Sequence, residues 1–241
     1  MMDVVTEAKA VRVPSRRMWR CWACAEEVAA TGEGTCPRCG KIQPLGAETD
    51  YFTALGLPRR MAIDRADLER RWHALSRRFH PDFYRTGEPR ERIVALENTA
   101  LLNRAYRALR DPIARAEYLV RLEEGAGTEI PSQPPQELFE EILEIQELLM
   151  DYRAAAPDER DARRPQLEAR RQEIRREYER VERYLTQDLF PRWDPLSPEA
   201  APSPTEKAVL LAEIKEAIGN RAYLRRVLNG LEEALSASGV D

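Results

Sequence analysis

The chain has 241 residues, a formal net charge of −4, 33% charged residues and only 7% aromatic residues. This acidic balance excludes a global basic field for nucleic acid and leaves room only for local basic patches. No apolar run reaches the roughly 20 residues that a membrane-spanning helix needs, and its many Ala, Leu, Glu and Arg residues favour helices.

Residues 1–17 read "MMDVVTEAKAVRVPSRR" and are predicted to be a flexible leader. They lack the apolar core of a secretory signal. The segment ends in basic residues but also carries Asp3 and Glu7, which makes it a poor organelle transit peptide. We therefore expect a cytoplasmic protein, with an organelle matrix as the alternative.

Residues 18–47 contain all four cysteines in the spacing C-x2-C-x11-C-x2-C. Two such pairs are typical of a tetrahedral thiolate site, in which each pair folds into a tight turn. The expected ligands of one structural zinc ion are Cys21, Cys24, Cys36 and Cys39. Iron is the alternative, because ligand softness and geometry do not separate it from zinc. A redox dithiol pair would be expected beside a βαβ pattern, and the sequence shows none. Two disulfides would need an oxidising compartment, and nothing in the sequence points to one.

The next block, residues 50–124, is predicted to consist of short helices. Asp50 can cap a helix that begins at Tyr51, and Asp64 with Asp67 resembles a capping box for the next one. That helix carries an apolar stripe of Leu68, Trp72, Leu75 and Phe79. Its other faces are basic, with Arg70, Arg71, His73, Arg77 and Arg78. Pro81 ends the helix, so His80, Pro81 and Asp82 are expected on a surface turn.

This block resembles a J-domain. The resemblance rests on "DYFTALGLP", the His-Pro-Asp tripeptide and "NRAYRALRDPIARAEYL". It implies docking onto a DnaK-type ATPase chaperone through the tripeptide and the five basic residues of the preceding helix, with His-Pro-Asp triggering ATP hydrolysis there. A hydrolase dyad of His80 and Asp82 is the alternative, but no nucleophile motif such as G-x-S-x-G is present. A second alternative is that the basic face is only solvated and binds no partner.

Residues 125–135 form a predicted linker, and residues 136–241 a predicted three-helix bundle. We expect its helices at about 136–153, 165–187 and 205–235. The proline-rich stretch 190–206 is expected to be a connection rather than a helix interior.

The first helix of this bundle carries two apolar stripes. The core stripe is predicted to be Leu138, Ile142, Ile145, Leu149 and Tyr152. A second stripe consists of Phe139, Leu143 and Met150, bordered by Glu140, Glu144 and Glu147. It indicates either a wide core face or an exposed apolar and acidic patch that binds a partner, with Tyr223 joining it across the bundle.

Taken together, the cysteine head, "DYFTALGLP", "RAEYL" and "LFEEILEIQELL" resemble the HscB family of iron–sulfur co-chaperones, in which only some members carry such a head. The resemblance implies a mainly α, L-shaped protein without enzymatic activity of its own. Such a protein binds an IscU-type scaffold, delivers it to an HscA-like chaperone and stimulates the chaperone's ATPase. The implied scaffold-binding residues are Phe139, Leu143, Glu144, Glu147 and Tyr223, while Glu140 departs from the apolar side chain common there. A general J-protein with another client and a zinc-ribbon nucleic-acid binder are the rival hypotheses.

Overall fold

A computed structural model describes residues 18–29, 34–46, 49–196 and 204–237. The predicted leader, residues 1–17, lies outside these ranges. As predicted, the described chain is mainly helical, with the four cysteines close together near its start. It divides into two compact units, Met1–Leu57 with Glu69–Tyr106 and Pro58–Leu68 with Arg107–Asp241. Within the described ranges, no helix is both long and apolar enough to cross a membrane.

The first unit contains the cysteine module, which we define as residues 18–46, one whole helix and most of two others. Strands β1 (Met18–Arg20) and β2 (Glu27–Ala29) form an antiparallel hairpin around the first cysteine pair. A bridge between Thr35 and Ile42 closes the second pair. Helices α1 (Tyr51–Ala54), α2 (Arg65–Arg78) and α3 (Pro89–Arg110) follow.

Local signals explain where these helices begin. The Asp50 carboxylate accepts from the amide of Thr53 at 3.0 Å, so α1 starts at Tyr51 as predicted. Asp64 accepts from the amide of Ala66 at 2.9 Å at the start of α2. Buried apolar side chains hold the helices together, among them Phe52, Leu55, Phe79, Val94 and Leu102.

The second unit contains the bundle. Its elements are α4 (Pro112–Glu124), a 3-10 turn (Gln136–Leu138), α5 (Phe139–Ala154), α6 (Pro157–Arg183), a π-helical stretch (Tyr184–Leu189), α7 (Phe190–Trp193), a 3-10 turn (Asp194–Leu196) and α8 (Pro204–Ala237). Its buried core includes Ile142, Ile145, Leu167, Ile174, Ile214, Leu224 and Leu231. Helix α4 packs on α8, where Lys207 pairs with Glu123 and Lys215 with Glu124, both at 2.6 Å.

The predicted start of the middle helix was wrong. Helix α6 begins at Pro157, eight residues before Pro165, which lies inside the helix. Pro157 occupies the first turn, where a proline costs no hydrogen bond. Pro165 does remove one, but the carbonyl that loses its donor belongs to the exposed Asp161, where water can replace the amide.

The prediction for the proline-rich stretch was also wrong at its beginning. Helical structure continues through Pro191 to Leu196, after the π-helical stretch. Leu185, Leu189, Phe190 and Trp193 are all buried, so continuing the helix keeps four large apolar side chains in the core. Asp194 then accepts hydrogen bonds from the amides of Met61 and Ala62 at 2.6 and 3.0 Å.

Candidate metal centre and partner-binding surfaces

The four cysteine sulfurs form one cluster in the cysteine module. All of them lie within 4.8 Å of one another, with Cys21 and Cys39 at 3.7 Å and Cys24 and Cys36 at 3.8 Å. Four sulfurs bound at about 2.3 Å to one tetrahedral ion lie about 3.8 Å apart. The donor set and the spacing therefore suit a metal ion, and all four cysteines are free of disulfides.

The two cysteine pairs adopt the same turn. The carbonyl of Cys21 accepts from the amide of Ala25, and that of Cys36 from the amide of Gly40, both at 2.9 Å. Ala25 and Gly40 have φ angles of 60° and 73°. Each turn therefore needs a residue with left-handed backbone directly after its second cysteine. In the first turn that residue is an alanine, Ala25.

Hydrogen bonds around Cys21 favour its thiolate. The amides of Ala23 and Cys24 and the side chain of Gln43 donate to its sulfur at 3.4, 3.5 and 3.2 Å. Burial would raise the pKa of Cys21, but the two amides and the neighbouring thiols outweigh it and lower that pKa to about 6. The amide of Lys41 would lower the pKa of Cys39, but desolvation and the other thiols raise it to about 12. The cluster thus holds one thiolate readily, whereas four adjacent thiolates need a cation to balance them.

The His-Pro-Asp turn, which we call the HPD turn (His80–Asp82), begins where α2 ends. His80 has an extended backbone and Pro81 starts a 3-10 turn, Pro81–Tyr84. The His80 Nδ1 accepts from the amide of Asp82 at 3.3 Å and lies 3.6 Å from the Asp82 carboxylate. The proline and the amide contact hold the imidazole and the carboxylate together, and both remain largely exposed.

The residues below this turn hold it in place. The hydroxyl of Tyr84 donates to the carbonyl of Arg78 at 2.9 Å, and that of Thr99 to the carbonyl of Phe79 at 3.0 Å. Phe79 itself is fully buried, while Phe83 is exposed beside the His80 ring, with the ring centroids 6.1 Å apart. A buried anchor therefore lies directly before an exposed turn.

All five predicted basic residues of α2 are exposed. Arg71 donates to the carbonyl of Gly56 at 2.7 Å, and Arg78 to the Thr35 hydroxyl at 3.0 Å. Trp72 instead stacks on Tyr106, with centroids 4.4 Å apart, and donates to Asn103 at 3.1 Å. The helix thus packs through its aromatic side and leaves a basic face to solvent.

The second apolar stripe of α5 is exposed and does not belong to the core. We call Phe139, Leu143 and Met150 the α5 stripe; their exposed fractions are 52%, 46% and 70%. The interpretation as a wide core face was therefore wrong. Met150 belongs to this stripe, but it is not among the scaffold-binding residues that the family resemblance implies.

The surroundings of the α5 stripe are acidic on one side and aromatic on the other. Glu140, Glu144 and Glu147 are exposed, and Arg170 holds Glu144 at 3.1 Å. The Tyr223 hydroxyl of α8 accepts from the side chain of Gln146 at 3.1 Å, and the guanidinium of Arg226 lies over its ring. The structure thus places Tyr223 in contact with Gln146 of α5, while the roles of these residues stay predictions.

Two surface cavities of about 410 and 380 Å3 lie elsewhere in the second unit. The first is lined by α4, residues 128–131 and α8, and the second by the ends of α5, α6 and α8. Neither is lined by His80, Asp82 or a cysteine. His80 and Asp82 thus lie on an exposed turn and not in either of these cavities.

Comparison with known proteins points to one family. No profile of a known protein family matches the chain. The chain is 32% identical over 143 residues to the iron-sulfur cluster co-chaperone protein HscB of Mus musculus, covering 57% of this chain and 60% of that one. It is 46% identical over 87 residues to the co-chaperone protein HscB homolog of Bordetella petrii, covering 36% and 49% of the two chains. The matches thus span about half to just under two thirds of these relatives.

The fold agrees with these relatives. The crystal structure of human co-chaperone protein HscB superimposes with a TM-score of 0.64 at 23% identity, covering 89% of this chain and 97% of that chain. The resemblance to HscB co-chaperones that was predicted from the sequence is therefore confirmed by relatives in sequence and in fold.

Proposed function

We propose that this chain is a co-chaperone of iron–sulfur cluster biogenesis that connects a cluster scaffold to an ATP-driven chaperone. Its bundle binds an IscU-type scaffold, and its HPD turn docks on a DnaK-type, HscA-like chaperone and stimulates ATP hydrolysis there. The observation that carries the proposal is the exposed HPD turn at the end of a basic helix, in a chain whose relatives are named HscB. The chain contributes binding and positioning, and the partner's active site performs the chemistry.

The chaperone-facing surface is a basic helix that ends in a rigid turn. The five predicted basic residues of α2, all of them exposed, would steer the protein to an acidic surface and set its register there. Pro81 limits the motion of the backbone between His80 and Asp82, so the partner meets both side chains in one arrangement. Little conformational entropy is then lost on docking.

The scaffold-facing surface combines apolar and acidic groups. The α5 stripe spans the helix from Phe139 to Met150, a rise of about 16 Å. Exposed apolar groups of this size favour burial against a partner. The acidic row beside them favours a scaffold segment that carries both apolar and basic side chains. Tyr223 adds an aromatic side chain on the α8 side, of the kind enriched at binding hot spots.

The metal proposed for the cysteine cluster is one structural zinc ion, with iron as the alternative. All four ligands come from the protein, and such a closed thiolate set is typical of structural rather than catalytic zinc. Held by Cys21, Cys24, Cys36 and Cys39, the ion joins the two turns of a module too small to fold around its own core. We propose a cytoplasmic location, without a nucleic-acid or membrane partner.

The test is steady-state ATP hydrolysis by the cognate DnaK-type chaperone. It is measured with this protein, with an IscU-type scaffold, with both, and with His80→Gln in place of the wild type. Synergy between the two proteins that disappears in the variant is the expected result. Stimulation without any effect of the scaffold would keep the chaperone partner and reject the iron–sulfur client, and no stimulation would reject both.

A further inference from the structure

The backbone two residues before Cys36 packs directly against the side chain of Phe79, the residue before His80. Gly34 has a φ of +62°, and a Cβ built on it would lie 2.3 Å from the tip of the Phe79 ring. Phe79 is fully buried and immediately precedes His80. The bare backbone of Gly34 therefore forms part of the surface against which the residue before the HPD turn is packed.

A second contact joins the residue after Gly34 to the residue before Phe79. The guanidinium of Arg78 donates to the hydroxyl of Thr35 at 3.0 Å. Thr35 is paired with Ile42, and the amide of the next residue, Cys36, donates to the carbonyl of Lys41 at 2.9 Å. The segment that contacts Arg78 and Phe79 thus belongs to the hairpin that presents the second cysteine pair.

A third connection runs through Gln43. Its side-chain amide donates to the Cys21 sulfur at 3.2 Å, and its carbonyl accepts from Asn98 of α3 at 2.9 Å. Asn98 also accepts from the amide of Leu45 at 2.9 Å and is almost fully buried. The neighbouring Thr99 donates to the carbonyl of Phe79. Continuous hydrogen bonds and packing therefore link the thiolate cluster to the residue that carries the HPD turn.

We propose that the metal-loaded cysteine module is a positioning element for the HPD turn, with Gly34, Thr35 and Gln43 as its positioning residues. The ion holds the two cysteine turns together, and these residues transmit that order to Arg78 and Phe79. Loss of the metal loosens the turn and lowers stimulation of the chaperone, while scaffold binding by the second unit is unaffected. The inference rests on the proposed function and gives the cysteine module a role within it.

The matched variants are Gly34→Ala and Gly40→Ala in the full chain. Both glycines have a positive φ within the cysteine module, so alanine strains the backbone at either position. Only at Gly34 would the new methyl group collide with Phe79; at Gly40 nothing lies within 4 Å. We expect Gly34→Ala to lower chaperone stimulation about tenfold or more, since small misplacements of a recognition group are costly. Gly40→Ala should remain close to the wild type.

Two further readouts report on the turn itself. The chain has only two histidines, so a His73→Gln variant identifies the His80 imidazole signal by NMR. Gly34→Ala should shift that signal and speed hydrogen exchange at the Phe83 amide, which is bonded to the His80 carbonyl at 3.0 Å. Removing the metal with a chelator should do the same. Thr35→Val keeps nearly the same side-chain volume but removes the hydroxyl that accepts from Arg78. It should change the His80 signal and the Phe83 exchange rate less than Gly34→Ala does, while one metal ion per chain is retained.

The proposal would be overturned if Gly34→Ala and Gly40→Ala gave equal chaperone stimulation, equal exchange rates and equal His80 signals. It would also be overturned if removing the metal left the HPD turn unchanged. If Gly34→Ala does not fold, Thr35→Val decides with the same readouts. The exchange and NMR measurements need no chaperone. A wild type that fails to stimulate its chaperone therefore rejects the proposed function, while these measurements still decide whether the module positions the turn.

Discussion

Gly219 of α8 lies directly against the carbonyl oxygen of Pro131. A Cβ built at Gly219 would be 2.1 Å from that oxygen, which is far inside van der Waals contact. Close by, Arg226 of the same helix donates to the carbonyl of Ser132 at 3.4 Å. The segment predicted as a linker therefore follows the bundle surface at the point where α8 has no side chain.

Gly219→Ala should destabilise the second unit. The methyl group would meet backbone rather than a flexible side chain, so the segment around Pro131 has to move, at a cost of about 1–3 kcal/mol. Gly230→Ala is the matched control in α8, because its Cβ would make an ordinary 3.6 Å contact with Leu149. That variant should be stabilised by roughly 0.5–1 kcal/mol through helix propensity. Urea denaturation measures both, and equal effects of the two substitutions would contradict the close packing at Gly219.

Asp82→Asn should abolish ATPase stimulation and leave scaffold binding intact. The substitution keeps the size of the side chain and its contact distance to His80 but removes the charge that the chaperone would recognise. Scaffold affinity, measured on the same preparation by calorimetry, is the internal control because the scaffold is proposed to bind the α5 stripe. A variant that still stimulates hydrolysis would reject the role assigned to Asp82.

Leu143→Ala and Met150→Ala should weaken scaffold binding without unfolding the bundle. Both side chains are about half or more exposed, so truncation leaves little cavity, yet each would lose apolar contact in the complex. A loss of about 1–2 kcal/mol corresponds to a roughly 5- to 30-fold rise in Kd. Val209→Ala on α8 is the control, since Val209 is similarly exposed, at 54%, and is not part of the stripe. Equal Kd values for all three variants would exclude the α5 stripe as the docking surface.

Features with a local cause could be predicted from the sequence. The helix start at Tyr51 follows from its cap, and the cysteine cluster follows from the spacing of its residues. Contacts between positions far apart in the sequence could not be predicted from it. Asp194 accepts a hydrogen bond from the amide of Met61, 133 residues away, and Asn98 donates one to the carbonyl of Gln43, 55 residues away. The helix through Pro165 was missed for a similar reason, because tertiary packing outweighs one lost hydrogen bond.

The same limit applies to the candidate sites. Periodicity placed Phe139, Leu143 and Met150 on one stripe but left open whether it faced the core, since both arrangements give the same pattern. The packing of Ile142 and Ile145 against the other helices decides the question, and it leaves the stripe exposed. The contact of Gly34 with Phe79 had no sequence signal, because it depends on a missing side chain.

Ala25→Gly should tighten metal binding by the cysteine module. Ala25 occupies the left-handed region with a φ of 60°, at the position that Gly40 fills in the second turn. Relief of that strain, about 1–2 kcal/mol, exceeds the added flexibility of glycine in the metal-free chain, about 0.5–1 kcal/mol. A net gain of roughly 0.5–1 kcal/mol lowers the Kd for zinc about two- to fivefold, which competition with a chromophoric chelator measures.

Ala23→Gly is the matched control for this change, in the same turn and also directly beside a cysteine. Ala23 is not among the residues with positive φ, so glycine there adds flexibility and relieves no strain. We expect it to weaken zinc binding by a similar factor, while metal analysis shows one ion per chain for both variants. Weaker zinc binding in both variants would mean that the left-handed conformation of Ala25 does not destabilise the cysteine module. Opposite changes would establish that the two cysteine turns are equivalent and that the first is held in its conformation by the metal.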